Sequence, residues 1–297
     1  MPHVLTLIAA AGTLDPALPA RCRAAMEAIG ATPGTPDWLA PGEAVDIPFT
    51  GAAPELVTAA IRAAVGAAPV DAIAQPVAGR QKKLLVADMD STIVTSETLD
   101  ELAAYAGLKE QIAAITRRSM NGELDFRAAL IERVGMLAGL DVAALEATWA
   151  ATEIMPGAAT LVATMRAAGA VTCLASGGFT FFTGRVKAKL GFDHHVSNEL
   201  LIAEGRLTGR VGEPVFDRYA KLATLTRLAT ESGLPMSATL AVGDGANDLD
   251  MIGAAGLGVA FRAKPVVAAA ARARIDHNDL TALLFAQGYR RAAFAGS

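Results

Sequence analysis

The sequence predicts an α/β fold in which a doubly wound parallel sheet of the Rossmann-like kind carries an inserted helical cap and follows a small α+β domain. Apolar strand-like runs alternate with helical segments from residue 82 onward, which is typical of a parallel sheet covered by helices. A helical stretch at about 96–153 follows the first of these strands and predicts the cap. Residues 1–78 show a β-α-β-β-α-β order, which predicts a ferredoxin-like domain.

The N-terminal domain, 1–78, is predicted from five segments. They are a strand at 4–10, a helix at 16–30, one or two short strands within 31–50, a helix at 54–66 and a weak strand near 70–75. Pro54 and Gly66 bracket the second helix, because proline suits a first helical turn and glycine a helix end. Residues 75–80 resemble a linker, so the second domain is placed at 81–297.

The second domain begins with a strand at 84–88, and its cap is predicted to break at Gly107, Asn121-Gly122 and Gly139. The remaining elements are helix 158–168, strand 170–175, helix 179–190, hairpin 198–211, helix 217–231, strand 238–243, a short helix from about 247, strand 257–261 and two closing helices. We interpret His194 and His195 as a loop pair between a helix and the hairpin.

Composition narrows the class of partner. The formal charge of −4 does not indicate a nucleic-acid binder, which would carry an excess of basic residues, and is not basic enough for an anionic membrane surface. Cys22 and Cys173 form no ligand or disulfide pattern and are typical of a reducing compartment. The N-terminus lacks the basic start of a secretory signal, so we expect a cytoplasmic protein.

One uncharged stretch of 18 residues, Ala167–Gly184, is nominally long enough to raise the question of a membrane span. Ser176-Gly177-Gly178 interrupts it, and the stretch divides into a strand, a loop and the start of a helix. We therefore expect no membrane association.

The most informative segment is Asp88-Met89-Asp90, directly after the apolar run 84–87. Acids at i and i+2 on a strand point to the same side, where they repel each other unless a cation holds them. An acidic turn after a buried strand is the ordinary alternative. A second acidic cluster (Asp244, Asn247, Asp248) after another apolar strand favours a hard cation with oxygen ligands.

Two further segments carry chemistry of a related kind. The hydroxyl of Ser176 and the amides of Gly177 and Gly178 can cradle a phosphate. Lys221 lies on the first turns of a helix whose leucines are predicted to face inward. Each feature is weak alone, and the order of all four along the chain makes them specific.

In that order, the four segments resemble the motifs of the haloacid dehalogenase-like phosphohydrolases. Glu97, seven residues after Asp90, and Arg133, seven residues after Phe126, narrow the resemblance to members that hydrolyse O-phospho-L-serine. The resemblance covers about 82–290. Residues 1–80 more loosely resemble an amino-acid-sensing, ACT-like module.

The resemblance implies Mg²⁺-dependent hydrolysis through an aspartyl-phosphate, as the last step of serine biosynthesis. It assigns Asp88 as the nucleophile and Asp90 as the general acid that later acts as a base. It also implies that Asp88, Asp244 and the main-chain carbonyl of Asp90 hold the Mg²⁺ ion.

The remaining roles are implied in the same way. Ser176, the Gly177 amide and Lys221 are expected to bind phosphate oxygens, and Asn247 and Asp248 to orient the phosphate and the lysine.

Substrate choice is expected to come from the cap. Glu97 suits the substrate ammonium, Arg133 its carboxylate, and Phe126 is expected to cover the site. The residues alone favour the ordinary alternatives, in which Glu97 is an N-terminal acid of the first cap helix, Arg133 a solvated helix residue and Phe126 a core anchor.

Alternative functions also stay open at this point. One is phosphotransfer to another alcohol, such as homoserine, and another is a signalling receiver that is phosphorylated on Asp88. The N-terminal domain is a candidate site for an L-serine or other amino-acid effector, and the resemblance allows a homodimer.

Overall fold

The computed structural model describes residues 2–296, which form two compact units. The first contains the chain up to residue 83, together with 156–170 and the C-terminal segment from 272. The second contains 84–155 and 171–271. The sequence places 156–170 and 272–297 with the second domain instead. They group with the N-terminal part because the last α-helix of the chain, Ala282–Ala286, packs on both Ala158–Ala167 and the first strand.

The first unit consists of strands and helices from both ends of the chain and from its middle. They are strands β1 His3–Ile8, β2 Thr32–Pro33, β3 Asp37–Ala40, β4 Ala44–Thr50, β5 Asp71–Pro76 and β13 Ala273–Ile275, and helices α1 Leu18–Ala28, α2 Pro54–Val65, α7 Ala158–Ala167 and α12 Ala282–Ala286.

An antiparallel sheet forms the centre of the first unit, with strand order β2-β4-β1-β5 and β3 also paired with β4. Leu5 lies opposite Ile47 on one side and Ala74 on the other. Its core includes Leu5 and Ile47 with Met26 of α1 and Ile61 of α2. Helices α1 and α2 and strands β1 and β5 were predicted, and 31–50 holds three strands rather than one or two. This antiparallel sheet is compatible with the predicted α+β domain.

The second unit contains the predicted α/β part of the chain. Its strands are β6 Leu84–Ala87, β7 Val171–Phe179, β8 His194–Asn198, β9 Leu200–Ala203, β10 Arg206–Val211, β11 Thr239–Gly243 and β12 Leu257–Phe261. Its helices are α3 Thr98–Ala104, α4 Lys109–Met120, α5 Phe126–Gly135, α6 Ala143–Ala151, α8 Thr180–Leu190, α9 Arg218–Glu231, α10 Leu249–Ala254 and α11 Pro265–Ala270.

A parallel sheet of order β12-β11-β6-β7-β8 runs through this unit, which confirms the predicted parallel α/β sheet. Strands β9 and β10 form the predicted hairpin. Leu225 and Leu228 of α9 pack in the same buried cluster as Val86 and Ala241, whereas Leu222 is half-buried. Helices α3 to α6 follow β6, and the predicted breaks at Gly107, Asn121-Gly122 and Gly139 fall between them.

The interpretation of His194 and His195 as a loop pair was wrong. Both lie in β8, where they pair with Cys173 and Leu174 of β7. An edge strand with polar, half-exposed side chains lacks the apolar alternation that reveals strands in a sequence. The Nδ1 atom of His195 lies 2.9 Å from the hydroxyl of Thr183.

No helix within residues 2–296 is long and apolar enough to cross a membrane. The uncharged stretch Ala167–Gly184 divides between the last residue of α7, strand β7 and the beginning of α8.

The packing of β12 against α10 generates the first prediction. A Cβ atom at Gly258 would overlap the main-chain carbonyl of Ile252, so Gly258→Ala should lower the free energy of unfolding by about 1–3 kcal/mol or more. Gly253, an exposed residue of α10, has open space around its Cβ position. Gly253→Ala should therefore be neutral or stabilising, by up to about 1 kcal/mol. Urea unfolding of both variants measures the difference, and equal stabilities would contradict the packing argument.

Candidate active site

Three of the predicted segments meet at the carboxyl ends of neighbouring strands. Asp88 follows β6, Ser176 and Gly177 lie near the end of β7, and Asp244 follows β11. The strands are parallel and adjacent, so their carboxyl ends lie at one edge of the sheet. The main-chain N–H of Asp88 donates to the carbonyl of Val242 at 3.0 Å, which holds the ends of β6 and β11 together.

Lys221 connects two of the acids. The side chain is fully buried, and its Nζ atom lies 2.8 Å from Oδ1 of Asp88 and 2.6 Å from Oδ1 of Asp248. Asp217 begins the helix by accepting hydrogen bonds from the main-chain N–H groups of Tyr219 and Ala220, which places Lys221 in the first turn. Burial opposes the lysine charge, but Asp248 and Asp88 together raise its pKa above the ordinary value.

Asp248 is also bound by main-chain donors. Its Oδ2 atom accepts hydrogen bonds from the N–H groups of Asp244 and Gly245, both at 3.1 Å. Burial, reinforced by the charge of Asp88, raises the pKa of Asp248 to about 7, although Lys221 opposes the shift. One lysine therefore does not fully compensate the carboxylates around it.

Asp244 has weaker partners. Its Oδ1 atom accepts from the hydroxyl of Thr92 at 3.1 Å, and its Oδ2 atom lies 3.7 Å from Nζ of Lys264. Burial and then the charges of Glu97 and Asp88 raise its pKa well above the ordinary value. The site thus carries an excess of buried negative charge that a cation would stabilise.

These carboxylates fit a divalent metal. Oxygens of Asp88, Asp244 and Asp248 all lie within 4.8 Å of one another, and all three residues are buried. Clustered carboxylate oxygens suit a hard cation such as Mg²⁺. From the sequence, the main-chain carbonyl of Asp90 rather than Asp248 was expected to be the third ligand, and this stays a prediction. It is compatible with the structure, in which Asp248 is paired with Lys221.

Asp90 lies at the turn after β6. Its Oδ1 atom accepts from the main-chain N–H of Thr98 at 3.0 Å. Burial and then the charge of Glu97 raise its pKa well above the ordinary value. A carboxyl group with a raised pKa retains a proton more readily, which suits a general acid.

The glycines after Ser176 permit close approach of two side chains. A Cβ atom at Gly177 would lie 2.6 Å from Cζ of Phe126, and one at Gly178 would lie 2.8 Å from Oδ2 of Asp90. The N–H of Gly178 donates to the Ser176 hydroxyl at 2.8 Å. Phe126 therefore lies over this loop as a half-buried cover of the site, rather than as a fully buried core anchor.

A cleft with roughly 420 Å³ of empty space contains most of the predicted side chains. Its lining includes Asp88, Asp90, Glu97, Phe126, Arg133, Ser176, Gly177, Asp244 and Asn247. Lys221 and Asp248 are fully buried and reach the site through their contacts with Asp88 and with the Asp244 main chain. The structure thus brings together all of the predicted site residues.

The structure also distinguishes between the alternatives that the sequence left open for two charged cap residues, Arg133 and Glu97. Arg133 is only 3 % exposed, so it is not a solvated helix residue. Glu97 precedes α3, but its side chain makes no capping hydrogen bond and instead accepts from the Ser91 hydroxyl at 2.7 Å. Burial raises the pKa of Glu97. Both charged groups line the cleft.

Some contacts were not anticipated from the sequence. Asn198 donates to the carbonyl of Gly177 at 2.9 Å and accepts from the N–H of Phe216 at 2.6 Å, so it supports the loop from behind. Lys264 had no sequence signal, because it follows β12 and is near Asp244 only in space. The buried Oδ1 atom of Asn247 has no hydrogen-bond partner among the described residues.

The chain is similar to known proteins both in sequence and in structure. The family model of the haloacid dehalogenase-like hydrolases matches residues 85–253. Phosphoserine phosphatase of Streptomyces coelicolor is 42% identical over 254 residues, which cover 84% of this chain and 62% of that protein. Phosphoserine phosphatase of Idiomarina loihiensis is 42% identical over 68% of this chain and 91% of its own length. The chain spans between one half and two thirds of the first curated relatives it matches.

Two solved structures are similar over different shares of the chain. A phospho-aspartyl intermediate analogue of phosphoserine phosphatase is 38% identical, covers 69% of this chain and 98% of its own, and has a TM-score of 0.67. A HAD-family hydrolase of Salmonella enterica serovar Typhi is 30% identical, covers 96% of this chain and 97% of its own, and has a TM-score of 0.82.

The buried lysine generates the second prediction. Lys221→Met should lower the free energy of unfolding by about 3–5 kcal/mol, because it leaves Asp88 and Asp248 buried without their cation. Urea unfolding in metal-free buffer measures the change. Lys109→Met is the matched control, because its ion pair with Glu101 is exposed and its loss should leave stability close to wild type. A Lys221→Met variant as stable as the control would show that the pair does not stabilise the fold.

Proposed function

Since this chain belongs to the haloacid dehalogenase-like hydrolase family, we propose that it hydrolyses O-phospho-L-serine to L-serine and phosphate with bound Mg²⁺. One observation carries the proposal: a single cleft is lined by the acids Asp88 and Asp90 and by two charged cap residues, the half-buried Glu97 and the buried Arg133. The relatives named phosphoserine phosphatase support it.

Asp88 is the proposed nucleophile. Its Oδ1 atom contacts Lys221 and the main-chain N–H of Met89, so we assign attack on phosphorus to Oδ2. The new bond joins Oδ2 to phosphorus as the bond from phosphorus to the serine oxygen breaks. The phospho-aspartyl analogue of the solved relative supports this intermediate.

Asp90 transfers the protons in both steps. It donates its proton to the leaving serine oxygen and then, as a carboxylate, takes a proton from the water that attacks the aspartyl-phosphate. That attack breaks the bond between phosphorus and Asp88 and releases phosphate. The raised pKa of Asp90 supports the first role, and its position two residues from Asp88 supports both.

Mg²⁺, held by Asp88, Asp244 and the Asp90 main-chain carbonyl, would offset the repulsion between the carboxylates and the phosphate. In this proposal Ser176, the Gly177 amide and Lys221 bind phosphate oxygens, and Asn247 and Asp248 orient the phosphate and the lysine. Lys221 also holds Asp88 in position, because its Nζ atom is fully buried between Asp88 and Asp248.

The cap supplies the specificity. The guanidinium of Arg133 complements the substrate carboxylate and the carboxylate of Glu97 complements its ammonium. Phe126, which lies over Gly177, covers the substrate and excludes water.

The first unit has a separate proposed role. We infer that its N-terminal part is ACT-like and binds L-serine or another amino acid as an effector, which the antiparallel strand order β2-β4-β1-β5 supports. We also propose that the protein forms a homodimer, that it is cytoplasmic and that it catalyses the last step of serine biosynthesis. Calorimetric titration of the full chain with L-serine tests the effector.

The third prediction tests the reaction. Phosphate release should be fastest from O-phospho-L-serine in a panel of phosphomonoesters, should stop when EDTA removes the metal and should return with added Mg²⁺. Asp88→Asn should abolish turnover while leaving the protein folded, since the amide has nearly the same shape but cannot attack. Full activity in metal-free buffer, or turnover by the folded variant, would refute the proposed mechanism.

The fourth prediction concerns Arg133. Arg133→Ala should lower kcat/KM for O-phospho-L-serine by roughly 30- to several-thousand-fold, because truncating one partner of a buried charge pair costs about 2–5 kcal/mol. Phosphoethanolamine, which lacks the carboxylate, should be affected far less. Glu97→Gln should act in the same direction but more weakly, since its amide oxygen still accepts a hydrogen bond. Equal losses on both substrates would indicate that Arg133 supports the cap instead.

A further inference from the structure

A buried chain of hydrogen bonds leads from Arg133 into the cap. Nη1 of Arg133 donates to the hydroxyl of Thr116 at 2.9 Å, and that hydroxyl lies 2.6 Å from Oδ1 of Asp100. The Thr116 hydroxyl therefore accepts from the guanidinium, and its proton is shared between the Asp100 carboxylate and, at the longer distance of 3.1 Å, the carbonyl of Ile112 in the same helix. The three residues come from α5, α4 and α3, so the chain connects three successive cap helices.

All three members of this chain are shielded from solvent. Arg133, Thr116 and Asp100 are 3 %, 3 % and 8 % exposed. Burial lowers the pKa of Arg133, and Asp100 is the first of the acids that oppose this shift. Burial raises the pKa of Asp100, while the Thr116 hydroxyl and Arg133 oppose the rise. The hydroxyl thus lies between two buried charges that stabilise each other through it.

The hydrogen bonds of Arg133 define how its guanidinium is oriented. Nε donates to the carbonyl of Ala129 at 3.1 Å and Nη1 donates to Thr116. Within residues 2–296, Nη2 has no hydrogen-bond acceptor and Arg133 forms no ion pair with a carboxylate. A direct ion pair would compete with an incoming carboxylate for the guanidinium. A hydroxyl acceptor orients the group and leaves its charge available for a ligand.

We propose that Thr116, supported by Asp100, is a positioning residue that determines the specificity for substrates carrying a carboxylate. This inference deepens the proposed function and rests on it. Thr116 does not line the cleft, so it acts by fixing one edge of the Arg133 guanidinium while the remaining N–H groups bind the substrate. Bidentate recognition of a carboxylate requires this orientation, because the guanidinium fork is planar.

The test compares kcat/KM for O-phospho-L-serine and phosphoethanolamine, which differ by the carboxylate. Thr116→Val keeps the side-chain shape and removes the hydroxyl, and it should lower the ratio of the two values by about 10- to 100-fold, the range expected for one hydrogen bond to a charged group. KM for O-phospho-L-serine should rise more than kcat falls. Thr116→Ser restores the hydroxyl and should restore the ratio.

Thr148 provides the matched control. It is buried in α6 of the same cap, and its hydroxyl donates to the carbonyl of Ala144 at 2.8 Å, as an ordinary helix contact. Thr148→Val should leave the ratio unchanged. Thr116→Val in an Arg133→Ala background should also leave it unchanged, because the group that it positions is then absent.

The outcomes separate this inference from the proposed function. If wild type shows no preference for O-phospho-L-serine over phosphoethanolamine, the proposed function fails and the inference fails with it. If wild type shows the preference but Thr116→Val lowers both activities equally, or neither, only the role of Thr116 is refuted. Should Thr116→Val not fold, Thr116→Ala replaces it, because alanine also lacks the hydroxyl and cannot crowd its neighbours: a lowered ratio supports the role of Thr116, and an unchanged ratio overturns it.

Discussion

The buried contact of Lys221 with Asp88 and Asp248 is the constraint on which the second unit depends. A fully buried ammonium is costly unless its partners are close and well oriented, and both carboxylate oxygens lie within 2.8 Å of Nζ. Satisfying the lysine requires the ends of β6 and β11 and the first turn of α9 to meet at one point. The contact that stabilises the buried charge of Lys221 therefore also fixes the position of Asp88.

That constraint leaves the site electrostatically incomplete. Three buried carboxylates lie close together, and the one buried lysine beside them contacts only Asp88 and Asp248. Burial raises the pKa values of Asp244 and Asp248 because compensation is partial. In the proposed function, a bound cation would offset this excess charge and would let a phosphate approach the carboxylates. Metal binding and acceptance of an anionic substrate would then both follow from one shortage of positive charge.

The cap places a second charged group, Arg133, in a buried position. Its proposed role requires that the guanidinium still be available to a ligand. The fold satisfies part of its hydrogen-bonding capacity with neutral acceptors, the Thr116 hydroxyl and the Ala129 carbonyl. Phe126 begins the same helix, α5, and lies over Gly177. One helix therefore carries both Phe126 and Arg133, so the proposed cover of the cleft and the proposed carboxylate-binding group are positioned together.

The strands that carry the site, the helical insertion and the set of candidate residues could be predicted from the sequence, because apolar runs followed by acids, glycines and hydroxyls are local patterns. Local patterns could not identify the edge strand containing His194 and His195, whose side chains are polar. They also could not show Lys264 beside Asp244, or Thr116 between Asp100 and Arg133. These contacts are visible only in the tertiary structure, because each depends on which helices and strand ends pack together. The burial of the charged groups and their partial compensation arise from the same packing.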